Sequence, residues 1–167
     1  MVLSFTGEYT QRVDGKGRVS IPADFRRVLE AGDPDWARDK PVGLKILYGD
    51  HLEQRLHVYT LAAFREIEAG ILALPRGDEN RRHAARLILG QSLSAEVDKD
   101  GRVVIPQRQR DKIGLTDGDV YFTGLGEYFE VWKAETYAAT DGMETKAWLE
   151  SKPKGYDPLS VLSQAGG

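Results

Sequence analysis

Val13-Asp14-Gly15-Lys16-Gly17-Arg18-Val19-Ser20-Ile21-Pro22 returns 84 residues later as Val97-Asp98-Lys99-Asp100-Gly101-Arg102-Val103-Val104-Ile105-Pro106. A phrase repeated at this length marks one structural unit used twice, and it decides how the rest of the chain is read. At the same offset Arg26 aligns with Arg110 and Leu29 with Ile113. Further on, Leu56-His57-Val58-Tyr59 with Phe64 matches Phe129-Glu130-Val131-Trp132 with Tyr137, now at an offset of 73. The changed offset puts extra residues in the first copy, most simply in the polar stretch 32–41 with its Pro and Asp residues.

Within each copy, Leu93-Ser94-Ala95-Glu96-Val97 and Val19-Ser20-Ile21 alternate apolar and polar residues, the period of a half-buried strand. Four turn residues follow the first strand. In Asp98-Lys99-Asp100-Gly101 an Asp stands first and a Gly fourth, the preference of a type I turn whose last residue takes a positive φ as a G1 bulge. Both segments therefore read as β-hairpins with Arg18 or Arg102 just past the turn.

Each returning strand ends in Ile-Pro, and proline suits the first turn of a helix, where its missing N–H costs nothing. Short helices are expected at 23–30 and 107–113, followed by strand pairs at 44–48 with 56–59 and at 120–122 with 128–132. Thr60 is a candidate N-cap for a helix whose apolar stripe is Leu61, Phe64, Ile67, Ile71 and Leu74. A second linking helix is expected at 78–89, with Arg81, Arg82 and Arg86 polar and Leu87, Ile88 and Leu89 buried. A third is expected at 136–149, and 151–167 reads as a mobile polar tail. The class is α+β, mainly β. The expected organisation is a first repeat with its helix at 1–74, a linking helix at 75–92, a second repeat at 93–140 and an extension at 141–167.

The composition is that of an ordinary soluble domain: 167 residues with 41% hydrophobic content. No cysteine is present, which removes disulfides and thiolate metal sites and fits a reducing cytosol. Neither a signal peptide nor a run of about 18 apolar residues occurs, so a cytoplasmic, nucleoid-associated protein is expected.

Net charge is -3, against the usual excess of Lys and Arg in nucleic-acid binders, but the distribution reverses that impression. Residues 10–27 hold five basic and two acidic residues, and 97–112 hold five against three. From 113 onward there are four basic residues against nine acidic ones. The repeated motifs are basic and the last third is acidic.

A bulged turn accounts for Asp14, Asp98 and the glycines by backbone needs alone. It does not require an arginine at 18 and 102. An Asp that holds an Arg fork rigid lowers the entropy lost when the guanidinium meets phosphate or a guanine edge, and two copies on one chain mimic a dimer facing double-stranded DNA. The candidate DNA-binding set is Asp14, Lys16, Arg18, Asp98, Lys99 and Arg102, with Arg12, Arg26 and Arg110 as phosphate contacts beside Arg27, Arg108 and Lys112.

Two such Asp-to-Arg phrases followed by Ile-Pro, joined by an Arg-Arg helix and the Leu87-Ile88-Leu89-Gly90 run, resemble the MraZ family of AbrB-like swapped-hairpin DNA-binding proteins over residues 1 to 140. The resemblance implies a double-split β-barrel of interleaved hairpins in which the halves of one chain act as a pseudo-dimer. It also implies homo-oligomeric rings that bind direct repeats upstream of a division and cell-wall operon and regulate that operon, with Arg18 and Arg102 as the DNA contacts. Asp100 replaces the Lys16 of the first copy, so the first hairpin is expected to contribute more to phosphate binding. The segment beyond Asp141 is longer than the core fold requires.

Other classes fit less well. Asp14 and Asp98 could form an acid-base pair, yet glycine-rich turns imply exposed tips rather than a desolvated cleft. His51, His57 and His83 lack metal-ligand spacing, and neither Gly-x-Ser-x-Gly nor a phosphate loop occurs. No enzyme, small-molecule substrate, cofactor or metal is expected. An antitoxin-like module, with the acidic C-terminal part holding a protein partner, is the second reading, and a purely structural ring is the third.

Overall fold

The nine-residue strand β1 (Phe5–Val13) enters the first Asp-Gly turn but does not pair along its length with the strand that leaves it. Its partner is β7 (Gly118–Gly126) of the second repeat, in register from Phe5↔Gly126 to Val13↔Gly118. The first strand of the second repeat, β5 (Ser92–Val97), likewise pairs with β3 (Val42–Leu47) of the first repeat. The computed structural model that gives this arrangement describes residues 3–116 and 118–165, the side chains of 164 and 165 excepted.

With β4 (Arg55–Thr60) and β8 (Tyr128–Lys133), these strands form an antiparallel sheet in the order β1-β7-β8-β4-β3-β5. The strands that leave the two turns, β2 (Arg18–Ser20) and β6 (Arg102–Val104), pair with each other as a separate two-stranded ribbon. Hydrogen bonding among the described residues closes neither sheet into a ring. The sequence-level hairpins are thus exchanged between the repeats. Within each hairpin the turn keeps its own backbone bonds: Asp14 N–H to Arg18 C=O (3.1 Å) and Gly17 N–H to Asp14 C=O (3.0 Å) in the first, and Asp98 N–H to Arg102 C=O (2.8 Å) and Gly101 N–H to Asp98 C=O (2.9 Å) in the second.

The exchange follows from burial. Val19, Ile21, Val103 and Ile105 of the ribbon belong to the same core as Leu44, Ile46, Leu56, Val58, Phe122, Phe129 and Val131 of the large sheet. A three-residue strand on its own buries too little apolar surface to hold its place, whereas two of them over a shared core do not have to. Phe5, Phe25 and Phe129 meet at ring-centroid distances of 4.7 to 5.3 Å. Pairs of this kind contribute about 0.5–1.5 kcal/mol beyond their buried area. Phe5 and Phe25 come from the first repeat and Phe129 from the second, so the core joins the copies instead of separating them.

Helix α1 (Ala23–Ala31) starts directly after Pro22 and buries Phe25, Val28 and Leu29. In α2 (Leu61–Leu72) the Thr60 hydroxyl accepts the Ala63 N–H at 3.0 Å, a cap of about 1 kcal/mol. That helix ends before Leu74, which is exposed. The expected helix at 78–89 is two pieces. Asp78 caps α3 (Glu79–Ala84), which passes into a π-helical turn, Ala85–Leu89, closed by Gly90 N–H to Ala85 C=O at 2.8 Å. Leu87, Ile88 and Leu89 are half-buried rather than buried. Helix α4 is Gln107–Lys112.

The chain divides into two compact units, one reaching Ala134 and one starting at Glu135. Near this boundary, the expected helix at 136–149 is split at Thr140 into α5 (Ala134–Ala139) and α6 (Asp141–Glu150). The tail expected to be mobile carries a 3₁₀ turn at Pro158–Ser160, capped by Asp157, and α7 (Val161–Ala165). Its last two residues lie outside the described ones. Among the described residues no helix is long and apolar enough to cross a membrane.

Candidate nucleic-acid interface

The two Asp-Gly turns have the geometry that their composition predicts. Gly17 (φ +85°) and Gly101 (φ +79°) occupy the left-handed region that the bulge requires. Asp14 Oδ1 accepts the Lys16 and Arg18 N–H groups, both at 2.9 Å. Asp98 Oδ1 does the same for Asp100 (2.9 Å) and Arg102 (3.0 Å). The copies differ in their side chains. Arg18 Nε donates to Asp14 Oδ2 at 2.6 Å, whereas Arg102 Nη2 lies 3.5 Å from Asp100 and its buried Nε has no hydrogen-bond partner among the described residues.

In the first turn, the Arg18 N–H, the Arg18 guanidinium and the Lys16 N–H together lower the Asp14 pKa from the ordinary 3.8 to about 2. The folded value lies below the unfolded one, so the contribution of this bracing is present above about pH 4 and is lost as pH falls towards 2. A carboxyl-carbon NMR titration is expected to place the Asp14 midpoint near 2, with the Arg18 Nε–H resonance moving over the same range.

Register sets where the two arginines point. Arg18 is opposite Val104 and Arg102 is opposite Ser20, with Val19 and Val103 between them facing the core. Alternation therefore puts Arg18, Ser20, Arg102 and Val104 on one outward face. The arginines are diagonal neighbours across the ribbon, about 7–8 Å apart. The two turns lie at its opposite ends, carrying exposed Lys16 at one and Lys99 at the other. Sequence reasoning missed Ser20 and Val104. Their alternation with the buried valines was visible, but their proximity follows only from the β2–β6 pairing.

Arg110 needs correcting as a phosphate contact. Arg110 is 7% exposed; its Nη1 donates to the Ile105 carbonyl at 3.0 Å and its Nη2 to Gln107 Oε1 at 2.6 Å. Its guanidinium lies against Gly17 of the other repeat, and Arg26 lies against Gly101 in the reciprocal contact. The turns are also joined directly: Ile21 N–H donates to Gly101 C=O and Ile105 N–H to Gly17 C=O, both at 2.8 Å. Arg110 thus braces the opposite turn from within, and half-buried Arg26 packs on the other one. Arg12 is exposed, 3.9 Å from Asp119, and Arg27 pairs with Asp24 at 2.9 Å. Lys112 donates to the carbonyls of Gly49 and Leu52.

A second polar cluster lies on the sheet away from the ribbon. Glu130 Oε2 is 3.1 Å from both Arg55 Nε and His57 Nε2, and Oε1 accepts from Trp132 Nε1. Burial pushes the Glu130 pKa up, but His57, Trp132 and Arg55 outweigh it and hold the carboxyl below its usual value. His57 thus has a carboxylate partner from the other repeat. Among the described residues no group of three His, Asp or Glu side chains could hold a metal.

Comparison with known proteins agrees with the duplicated architecture. The family model described as "MraZ protein, putative antitoxin-like" matches twice, at residues 4–87 and 88–143. A "Transcriptional regulator MraZ" of Ruegeria sp. (strain TM1040) is 47% identical over 163 residues, covering 98% of this chain and 97% of its own length. The protein of the same name from Ruegeria pomeroyi is 44% identical, covering 100% and 99%. That of Acetivibrio thermocellus is 35% identical, covering 87% and 94%. Two family matches on one interleaved core, with full-length relatives at this identity, establish that the chain belongs to the MraZ family.

Proposed function

We propose that this chain is a sequence-specific DNA-binding transcriptional regulator. It acts on the operon that contains its own gene, a division and cell-wall operon, through direct repeats upstream. The observation that carries the reading is the outward face of the β2–β6 ribbon, where two carboxylate-anchored turns hold Arg18 and Arg102 side by side. A two-stranded ribbon fits a major groove about 12 Å wide, in which an Arg fork reads guanine O6 and N7. Lys16, Lys99 and Arg12 add phosphate contacts from the ends of the ribbon, and Asp14 and Asp98 position the arginine backbones. The names carried by the relatives support the same class.

Few phosphate contacts per protomer mean weak binding by one copy. A ring of several protomers that engages adjacent repeats would raise avidity by about 10² to 10⁴ without new contacts. Titration of the intact protein against a duplex from the region upstream of its own gene, at about 50 and 200 mM salt, tests the reading. Specific binding over a mixed-sequence duplex, with log affinity falling steeply with log salt, is expected. Equal, weak binding to both duplexes would reject it.

One observation favours the antitoxin-like reading as a second role: the unit from Glu135 onward, with five acidic residues against three basic ones, exposes Leu159 (69%) and Leu162 (67%). A second polypeptide retained in stoichiometric amount by the purified protein is the result that this role requires.

A further inference from the structure

Resting on the DNA-binding reading, we infer that Val104 and Ser20 are specificity-determining residues, with Val104 reading the C5-methyl group of thymine beside the base contacted by the arginines. Three observations place it there. Val104 is 51% exposed, although it sits in a strand whose neighbouring residues Val103 and Ile105 are core residues. It is directly opposite Arg18 and on the face that carries Arg102. Arg102 and Val104 also line the same open groove of about 330 Å³, so both reach one space.

A β-branched side chain suits a strand and is stiff, so exposed between two cations it is held in a defined position at little entropic cost to a contact. On a ribbon inserted in the major groove, the same position meets base edges, and the thymine methyl is the one apolar group displayed there. The equivalent position in the first repeat is Ser20, exposed and opposite Arg102. Its hydroxyl donates or accepts and serves polar base edges of either kind. The pseudo-symmetric ribbon therefore presents two unlike readers, Arg18 with valine and Arg102 with serine. A single protomer would then prefer a site without two-fold symmetry, which suits direct rather than inverted repeats.

The test compares the upstream duplex with the same duplex built with deoxyuridine in place of thymine, which removes only the methyl groups. Burying one methyl is worth a factor of about four in affinity. The wild-type protein is expected to bind the deoxyuridine duplex about fourfold more weakly. Val104→Ser binds both duplexes alike, and Ser20→Val shows an increased sensitivity to the replacement. The salt slopes of both variants stay at the wild-type value, because no phosphate contact changes. Unchanged thermal melting confirms that exposed positions were altered without loss of fold. Equal wild-type affinity for the two duplexes, or an equal loss in wild type and Val104→Ser, would overturn the assignment while leaving the regulator reading intact. Failure of the wild type to prefer the upstream duplex over mixed sequence would remove both.

Discussion

Replacing Arg18 and Arg102 together by alanine is expected to abolish specific DNA binding while the protein remains folded. Each side chain is only a little over one-third exposed, 38% and 36%, yet each lies on the outward ribbon face. An arginine that reads a guanine edge contributes about 1–3 kcal/mol, so the pair should lower affinity by roughly two to four orders of magnitude. The loss in stability stays small, because the Asp14–Arg18 pair remains open to solvent on one side and exposed pairs contribute about 0–1 kcal/mol. Of the single variants, Arg18→Ala is expected to lose more, since Arg18 is held by Asp14 and flanked by Lys16, whereas Arg102 faces Asp100. Shift titrations with circular dichroism melts read both quantities. A double variant with wild-type affinity would leave the paired turns with a structural role only.

Gly17→Ala is expected to be the most damaging small substitution in the turns. A Cβ there would collide with the Arg110 guanidinium and lie 2.5 Å from the Ile105 carbonyl oxygen, in a residue with φ +85°. The left-handed backbone alone costs about 1–2 kcal/mol for a non-glycine residue. Displacing Arg110 from its two hydrogen bonds adds the penalty of a buried, unpaired charge, for a total of about 3–5 kcal/mol. Gly15, two residues earlier in the same turn, has no atom of the described residues within 4 Å of an added Cβ. Gly15→Ala should therefore fall within about 0.5 kcal/mol of wild type. Urea unfolding of the two variants separates a requirement for glycine in the turn as a whole from a requirement at the bulge.

These two positions also show what could be read from the sequence and what could not. The Asp-x-x-Gly pattern encodes its turn locally: the carboxylate needs only nearby N–H groups and the glycine only a positive φ, so both turns were legible residue by residue. Strand pairing is not local. Val13 before the turn and Val19 after it alternate as in any hairpin, and nothing in that alternation says that β1 joins β7 or that β2 joins β6. For the same reason Arg26 and Arg110 read as exposed basic residues of short helices. Their actual neighbours, Gly101 and Gly17, are some 75 to 93 positions away in the chain. The charge pattern singled out the candidate site, and the exchange of strands between repeats decides which of its cations point outward.

The interleaving also makes each half depend on the other. β1 depends on β7, β5 on β3, and each turn on an arginine from the other copy. A chain cut between the repeats would have to reassemble both halves before either ribbon strand had a partner. The exposed ribbon face is then a product of the whole core, and any change that loosens the core should weaken DNA binding without touching the arginines.

Photo-crosslinking from the two ends of the ribbon tests the central claim most directly. A photoreactive amino acid replaces Lys16 in one protein and Lys99 in another, and each is irradiated with the upstream duplex. Crosslinks from both positions, lost when Arg18 and Arg102 are alanine, are the predicted result. Absence of crosslinks from both positions, with efficient crosslinking from Arg82 on α3 instead, would contradict it.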